Sequence, residues 1–204
     1  MSHGRFITLE GVDGAGKSTH LNGIADFLRQ RGKEVVVTRE PGGTPLGEKL
    51  RALILLQPMH IETETLLMFA ARREHLAQVV MPALTAGRWI VSDRFTDATY
   101  AYQGSGRGLS KGKIAALEHW VQQGLQPDLT LVFDVPVELA KRRLAANASE
   151  LDRFEREGQG FFERVRAGYL ERATADPRRV HVVDASGSQA EVKKIVENII
   201  LSIC

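Results

Sequence analysis

The sequence predicts an α/β protein in which helices cover both faces of a five-stranded parallel sheet. Three observations support this prediction. Short β-branched runs alternate with longer segments of helical period along the 204 residues. The strand-like runs are mostly apolar without strict alternation, which is typical of strands that are buried on both faces. Finally, no repeat, low-complexity tract or Pro/Ser-rich linker interrupts the pattern, so we expect residues 1–204 to form one domain.

The predicted elements follow one another in alternating order. The runs FITL, VVVT, WIVS, LTLVF and VHVV place the strands at Phe6–Glu10, Glu34–Thr38, Trp89–Ser92, Leu129–Asp134 and Val180–Val183. Helical periodicity between them places helices at Lys17–Gln30, Pro45–Leu55, Glu62–Ala86, Lys111–Gln123, Val137–Ala146, Gly158–Ala173 and Ser188–Ile200. The polar stretch NASELDRFERE, residues 147–157, is the best candidate for a mobile surface segment.

The composition narrows the class of partner. The chain is 43% hydrophobic and 25% charged, which is ordinary for a globular domain. The 27 basic and 25 acidic residues leave a net charge of +2, too small an excess for a nucleic-acid footprint. The only cysteine, Cys204, cannot form an intrachain disulfide, and no apolar run approaches the roughly 18 residues of a membrane span. We therefore expect a cytoplasmic protein that binds small anions, with no nucleic-acid or membrane partner.

The segment after the first predicted strand has the pattern of a phosphate-binding loop. GVDGAGKS, at Gly11–Ser18, matches G-x-x-x-x-G-K-S, and its glycines let backbone N–H groups surround a phosphate at the start of a helix. Lys17 suits the β and γ oxygens, and Ser18 suits a magnesium ion. Because a strand precedes the loop and a helix follows it, we predict that it binds Mg²⁺ and a purine triphosphate. The expected nucleotide-binding residues are Gly11, Val12, Asp13, Gly14, Ala15, Gly16, Lys17, Ser18 and Thr19.

The loop alone leaves an ATPase, a GTPase and a kinase open, and the arginines favour a kinase. Arg39 and Glu40 follow the second predicted strand, and Asp93 and Arg94 follow the third. All four side chains are therefore expected at the carboxyl edge of the sheet, where ligands bind. Arginine binds phosphate bidentately, and a switch protein has little need for several arginines there. The N-K-x-D segment with which guanine switches read their base is also absent, so a switch or motor is the weaker hypothesis.

Two carboxylates at strand ends compete for the magnesium role. Asp93 is followed directly by Arg94, whereas Asp134, in LVFDVP, has no arginine next to it. Phosphoryl transfer needs the acid and the base at one place, which favours Asp93. Asp134 is then expected to have a structural role, such as capping the helix that begins at Val137.

Five segments between residue 9 and about residue 160 together resemble the bacterial thymidylate kinases. They read EGVDGAGKST, TREPGGTPLGEKLR, MFAARREHL, DRFTDATYAYQG and ELDRFE, in this order. The resemblance implies a P-loop α/β/α fold with a short lid segment, a homodimer, and transfer of the γ-phosphoryl group of Mg-ATP to dTMP to give dTDP. A kinase for another deoxynucleoside monophosphate, or for a nucleoside, is the alternative.

The resemblance also implies roles for residues around the acceptor phosphate. Arg39, Arg51 and Arg94 would hold that phosphate. Glu40 and Asp93 would lie near the waters of the magnesium ion. The acceptor oxygen is already anionic, so no general base is expected, and catalysis would consist of positioning and charge neutralisation.

The acceptor's base and sugar are expected to lie among seven side chains: Asp13, Met68, Phe69, Arg72, Thr99, Tyr102 and Gln103. Arg72 and Gln103 would bind the thymine edge, and either Met68 or Phe69 would cover the ring. Tyr102 would lie against the sugar and crowd a 2′-hydroxyl. The Asp13 carboxylate would accept a hydrogen bond from the 3′-hydroxyl, which explains an acidic residue in a loop that binds anions.

The family's lid corresponds to residues 147–157. Members carry an arginine either in the phosphate loop or in the lid, and here the loop has Gly14, so Arg153 is expected to neutralise the transferred group. Arg143 matches the position that packs over adenine. The expected catalytic residues are therefore Lys17, Asp93, Arg94 and Arg153.

Overall fold

A five-stranded, entirely parallel sheet forms the centre of the computed structural model, which describes residues 4–147 and 152–204. The strands are β1 Phe6–Glu10, β2 Val35–Arg39, β3 Trp89–Asp93, β4 Leu129–Asp134 and β5 Val180–Asp184, in the order β2-β3-β1-β4-β5. The predicted fold class is confirmed, and each strand boundary lies within one residue of its predicted position. The predicted lid falls partly on residues 148–151, which lie outside the described residues.

The helices are α1 Lys17–Arg29, α2 Pro45–Leu56, α3 Ile61–His75, α4 Met81–Thr85, α5 Thr96–Thr99, α6 Lys111–Gln122, α7 Val137–Asn147, α8 Gln159–Ala175 and α9 Gln189–Leu201. The single helix predicted over Glu62–Ala86 is wrong in detail, because a π-helical turn at Leu76–Val80 separates α3 from α4. Pro82, the second residue of α4, has no backbone N–H and cannot donate an intrahelical hydrogen bond. Its position just after the π-helical turn accounts for the break in the regular α-helical hydrogen bonding.

The sequence did not predict α5 or the π-helical segment Tyr100–Gly106 that continues it. Its threonines, tyrosines and glycines have low helix propensity, so the segment depends on tertiary packing. Gly168 of α8 permits this packing, because a Cβ there would lie 2.6 Å from Ser105 Oγ. The close contact with α8 fixes a stretch of helix that local sequence alone does not favour.

The strand order brings the chemistry-bearing residues to one edge of the sheet. Arg39 at the end of β2 pairs in register with Asp93 at the end of β3, and Leu9 of β1 pairs with the same aspartate. β1 lies between β3 and β4 in the sheet. The chain leaves β1 through α1 towards β2 and β3, whereas β4 and β5 lie on the opposite side of β1. Ligands bind at such a switch point in open parallel sheets.

The two faces of the sheet are covered by two clusters of buried apolar side chains. The larger one includes Ile7, Leu9 and Leu131, and the smaller one includes Phe6 and Ile90. Central strands buried on both faces explain the apolar runs without alternation. None of the helices formed by residues 4–147 and 152–204 has both the length and the apolar character that a bilayer crossing requires.

Candidate active site

The loop between β1 and α1 turns sharply at glycines that no other residue replaces easily. Gly14 has a φ of 82°, and a Cβ on it would lie 2.2 Å from the carbonyl oxygen of Ala140 in α7. Gly16, with a φ of 98°, is the N-cap of α1. Both positive φ values lie in the region that favours glycine, so the loop keeps a shape that turns its N–H groups inward.

Lys17 lies across this loop. Its Nζ donates hydrogen bonds to the carbonyl oxygens of Gly11, at 2.9 Å, and Val12, at 3.0 Å. Burial and the nearby Arg94 lower the pKa of Lys17, while Asp13 and Asp93 oppose that shift. The nearby carboxylates therefore partly offset the cost of burying the Lys17 ammonium group, which lies inside the loop close to the place where a bound phosphate is expected.

Ser18 and Asp93 meet at the start of α1 and the end of β3. Ser18 Oγ lies 3.4 Å from Asp93 Oδ2, and Asp93 Oδ1 is buried without a hydrogen-bond partner in residues 4–147 and 152–204. No cluster of three His, Cys, Asp or Glu side chains capable of holding a metal occurs within those residues. A hydroxyl and one carboxylate with a free oxygen fit an ion such as Mg²⁺, which keeps several waters and binds nucleotide phosphates.

Asp134, the competing carboxylate, is held elsewhere. Arg166 of α8 donates to both of its oxygens, at 2.6 Å and 2.8 Å. Asp134 has no arginine next to it in the sequence, but the fold brings Arg166 into contact with it. This ion pair gives Asp134 a structural role.

Glu40, expected near the magnesium waters, is engaged on both oxygens. Oε2 accepts from Arg72 Nε at 2.8 Å, and Oε1 lies 2.8 Å from His75 Nδ1. Burial would raise the pKa of Glu40, but Arg72 and His75 hold it below its ordinary value. This geometry gives no support to the metal role and points instead to a carboxylate that orients Arg72.

Arg94 occupies a strained backbone position at the carboxyl edge. Its φ is 71°, in the left-handed region, and such strain in a non-glycine residue is typical of functional sites. The guanidinium contacts the Asp13 carboxylate and donates to the hydroxyls of Tyr102, at 3.0 Å, and Tyr169, at 3.1 Å. Burial works against the charge, yet Asp13 and the tyrosines hold the pKa of Arg94 well above its ordinary value.

A buried carboxyl group supports Arg94 from below. Glu10 accepts from the Phe95 backbone N–H at 2.7 Å and from the Tyr169 hydroxyl at 2.9 Å. Burial, followed by the nearby Asp97, raises the pKa of Glu10 to about 8. Glu10 and Tyr169 thus fix the backbone after Arg94 and one side of its guanidinium, a role the sequence did not predict for either residue.

Two adjoining spaces open at this edge. The first, here called the phosphate cleft, has about 1510 Å³ of space and is lined by Asp13, Gly14, Gly16, Lys17, Ser18, Thr19, Arg39, Glu40, Arg51, Asp93, Arg94, Arg143, Leu144, Glu155, Ala185, Gly187 and Gln189. The second, the inner cavity, has about 590 Å³ and is lined by Asp13, Glu40, Pro41, Arg51, Leu55, Met68, Arg72, Arg94, Phe95, Ala98, Thr99, Tyr102, Gln103, Asp152 and Phe154. Asp13, Glu40, Arg51 and Arg94 line both, so two arginines stand where the spaces meet.

The inner cavity collects most residues predicted for the base. Met68 lines it, whereas Phe69 is 2% exposed, belongs to the apolar core and is not among the described lining residues. Arg72 donates to Thr99 Oγ1 at 3.1 Å, and its Nη1 is buried without a hydrogen-bond partner in the described chain. Arg72 therefore lines the cavity with one donor atom, Nη1, whose hydrogens have no partner in the described chain.

Tyr102 and Gln103 come from the π-helical segment. The Tyr102 hydroxyl donates to Asp13 Oδ2 at 2.9 Å. Gln103 Nε2 donates to Glu64 Oε1 at 2.8 Å. Burial would raise the pKa of Asp13, but Arg94 and Lys17 lower it below its ordinary value, so this side chain is an ionised acceptor between the two spaces.

Arg153, the predicted catalytic arginine of the lid, is not brought to the phosphate cleft. Its Nε and Nη2 donate to the Ile54 carbonyl, at 3.2 Å and 2.8 Å, and Nη2 also binds Glu64 Oε2 at 2.5 Å. Its neighbours Phe154 and Glu155 line the inner cavity and the cleft respectively. Sequence order alone cannot reveal which of three consecutive side chains faces a cavity in an irregular segment.

The remaining predicted arginines lie at the cleft with partners of their own. Arg39 pairs with Glu48 at 2.8 Å, and Arg51 donates to the Pro41 carbonyl at 3.0 Å. Arg143 donates to the Ala185 carbonyl at 2.9 Å and lines the cleft near its far end. All three therefore line the cleft that holds the loop, and their predicted ligand roles stay predictions.

A phosphate loop that adjoins a second cavity, with arginines at the junction, provides sites for two ligands that exchange a phosphoryl group. A switch or motor needs only the first of these sites. The fold and the site therefore define the class of P-loop nucleotide kinases.

Comparison with known proteins identifies the family within that class. The sequence profile of the family described as thymidylate kinase matches residues 9–196. The thymidylate kinase of Cupriavidus metallidurans is 60% identical over 200 residues, covering 98% of this chain and 99% of the relative. That of Methylobacillus flagellatus is 62% identical over 196 residues, covering 96% of each chain. The crystal structure of thymidylate kinase from Ehrlichia chaffeensis superposes with a TM-score of 0.79 at 33% identity, covering 97% of this chain and 99% of that one. The chain belongs to the thymidylate kinase family.

Proposed function

We propose that this protein transfers the γ-phosphoryl group of ATP to the 5′-phosphate of dTMP, giving dTDP. The observation that carries the proposal is the inner cavity, which offers thymine a matching hydrogen-bonding edge and opens between two arginines onto the phosphate cleft. The family of the chain supports the same activity.

The cavity wall has a donor and an acceptor in the arrangement that thymine requires. Thymine presents its O4 acceptor next to its N3–H donor. Arg72 Nη1 is the buried donor without a partner in the described chain, and it suits O4. Gln103 directs its Nε2 to Glu64, which leaves Oε1 as the acceptor for N3–H. Met68 is one of the apolar side chains in the cavity lining and is the candidate to cover the ring.

The acceptor phosphate is expected at the junction of the two spaces. Arg51 and Arg94 line both, and Arg39 lines the cleft beside them. Asp13 stands at the same junction and suits the 3′-hydroxyl of the sugar, with Tyr102 bonded to it. The acceptor is already an anionic oxygen, so these residues act by orienting it and by neutralising charge as the phosphoryl group moves.

The donor nucleotide is expected along the phosphate loop. The loop N–H groups and Lys17 would hold the β and γ phosphates, and Arg143 is the candidate for the adenine side of the cleft. Ser18 and Asp93 would hold a magnesium ion, which when bound neutralises phosphate charge. The catalytic role of Arg153 stays a prediction, since its present contacts anchor it to Ile54 and Glu64.

A side-by-side assay tests this function. The purified protein with Mg-ATP is given dTMP, dUMP, dCMP or thymidine, and product formation is followed by chromatography. We expect dTMP to be the best substrate, with negligible turnover of thymidine because it has no phosphate for Arg51 and Arg94. Equal rates with dTMP and dCMP, or efficient phosphorylation of thymidine, would favour the alternative kinase for another nucleotide or a nucleoside. ATP consumption without an acceptor would contradict both.

We also propose a homodimer. The adjacent helices α3 and α6 expose large apolar side chains, Leu66 at 54% and Trp120 at 74%. Large exposed apolar groups of this kind favour association. Sedimentation that detects only monomer at micromolar concentration would contradict the dimer. A single domain over residues 1–204 and a cytoplasmic location stay predictions of the sequence.

A further inference from the structure

A fully buried carboxylate lies behind the inner cavity. Glu64, on α3, has a side-chain exposure of 0% and does not belong to the described lining of the cavity. Its Oε1 accepts from Gln103 Nε2 at 2.8 Å. Its Oε2 accepts from Arg153 Nη2 at 2.5 Å and lies 3.6 Å from Arg107 Nη1. The two oxygens therefore have different partners, with the arginines on one and Gln103 on the other.

The chemistry of Glu64 fixes the orientation of the Gln103 amide. A side-chain amide can be turned by 180° with little change of shape, and only its hydrogen bonds decide which way it points. An ionised carboxylate only accepts hydrogen bonds, so the amino group of Gln103 must face Glu64. The carbonyl oxygen is then directed away, and among the described residues no group donates to it. Gln103 itself lines the cavity, so the cavity receives an acceptor.

We propose that Glu64 makes this enzyme select thymine over cytosine at N3, by holding Gln103 with its carbonyl oxygen towards the base, in addition to the donor that Arg72 offers at O4. The proposal rests on the proposed function. Thymine and uracil present an N3–H donor to that oxygen, whereas cytosine presents a lone pair at N3. A site built to accept a hydrogen bond strongly rejects an analogue that lacks the donor, because two acceptors are then left facing each other. Glu64 touches no substrate, so it is a positioning residue.

The substitution Glu64→Gln is expected to reverse the orientation of the Gln103 side-chain amide. Arg153 can only donate, so it retains the carbonyl oxygen of the new glutamine, whose amino group then faces Gln103. Gln103 must turn its carbonyl oxygen to that amino group and its own amino group to the cavity. The cavity then offers a donor, which suits N3 of cytosine. We expect the ratio of kcat/KM for dCMP to that for dTMP to rise by about tenfold or more.

A third substrate separates this effect from general damage. Uracil has the same hydrogen-bonding edge as thymine, so the ratio for dUMP to dTMP should change less than about twofold in Glu64→Gln, while a loosened cavity would change it. A merely structural role of Glu64 predicts that all three nucleotides lose kcat/KM together. A dCMP to dTMP ratio within twofold of wild type would overturn the proposal. Wild-type turnover of dTMP tests the proposed function separately, so the two failures are distinguishable.

Two further variants complete the test. In a Gln103→Leu background the amide is gone, and Glu64→Gln should then leave the dCMP to dTMP ratio unchanged; an equal rise with and without Gln103 would overturn the proposal. Arg107→Met removes a neighbouring charge from Glu64 and keeps the Gln103 hydrogen bond, so its ratio should match wild type. If Glu64→Gln alone does not fold, the pair Glu64→Gln with Arg107→Met removes one charge of each sign and leaves Arg153 to hold the carbonyl oxygen of the new glutamine. Calorimetric binding of dCMP relative to dTMP should still rise, and an unchanged relative affinity would contradict the proposal.

Discussion

The phosphate cleft and the inner cavity are built in different ways. One continuous segment, the phosphate loop with the start of α1, supplies six of the 17 residues that line the cleft, including Lys17. The inner cavity is lined by side chains from α2, α3, α5 and the π-helical segment Tyr100–Gly106, and buried carboxylates hold its polar groups from behind. Glu40 holds Arg72, and Glu64 holds Gln103. The phosphate loop is therefore a local feature of the chain, whereas base recognition depends on long-range packing.

Because the two regions are built differently, we expect substitutions in the cleft and in the inner cavity to change different kinetic quantities. Variants in the cleft should lower turnover, because its groups meet the charge that moves in the reaction. Variants at the inner cavity should weaken dTMP binding or change the choice of base.

The largest expected effect is that of Lys17→Met. Removing the ammonium group from the phosphate loop should lower kcat by about 10³-fold or more, with a much smaller change in the Kd for dTMP. Single-turnover kinetics and equilibrium binding of dTMP measure the two quantities. The exposed Lys49, replaced in the same way, serves as the matched control and should keep wild-type turnover. If Lys17→Met kept more than about a tenth of the wild-type kcat, the expected difference between cleft variants, which lower turnover, and cavity variants, which weaken dTMP binding, would be contradicted.

Arg72→Met should act mainly on the acceptor. It removes the donor proposed for O4 and leaves Glu40 buried with His75 as its remaining partner. We expect KM for dTMP to rise by about 10²-fold, and the melting temperature to fall because a buried carboxylate loses its arginine. Arg73→Met, at the exposed neighbouring position of α3, controls for the loss of one positive charge. A normal KM for dTMP with a raised KM for ATP would assign Arg72 to the cleft instead.

Asp13→Ala tests the junction of the two regions. The carboxylate binds Arg94 and Tyr102, so its removal should weaken dTMP by about tenfold while ATP affinity changes less. Steady-state kinetics with each substrate varied in turn provide the comparison. The opposite ranking would return Asp13 to a structural role in the phosphate loop.

The smallest effect concerns Glu10, which supports the junction from below. The folded protein keeps the proton on Glu10 up to about pH 8, whereas its ordinary pKa is 4.5, so the folded state binds more protons between these values. The free energy of unfolding should therefore fall as pH rises through this window, by up to about 1 kcal/mol per pH unit from this group. Glu10→Gln should lack that dependence. Urea unfolding at pH 5.5 and pH 8 measures it, and identical pH dependence in both proteins would rule out this contribution.

The same contrast explains how much of the molecule could be predicted from sequence. The phosphate loop, the positions of the strands and the pair Asp93–Arg94 follow from local patterns, and the fold brings the loop and this pair to one edge. His75, Glu64 and Tyr169 escaped prediction because each acts through a residue distant in sequence, for instance Tyr169 on Glu10. The π-helical segment that contains Tyr102 and Gln103 was missed because its packing against α8, and not its own composition, determines its conformation.

Arg153 is the clearest example of what the sequence cannot resolve. Its motif identified the right segment, but the direction of a side chain outside regular structure depends on contacts with α2 and α3. The sequence pattern therefore identifies the segment but not the side chain that faces the site. The neighbouring residues Phe154 and Glu155 line the inner cavity and the phosphate cleft.

The central claim is that the inner cavity binds the base and that the junction binds the acceptor phosphate. A crystal structure with bound dTMP tests it most directly. The account predicts thymine in the inner cavity, with O4 at Arg72 and N3–H at Gln103, and the 5′-phosphate between Arg51 and Arg94. A base lying against Lys17 in the phosphate cleft, or a 5′-phosphate away from both arginines, would contradict it.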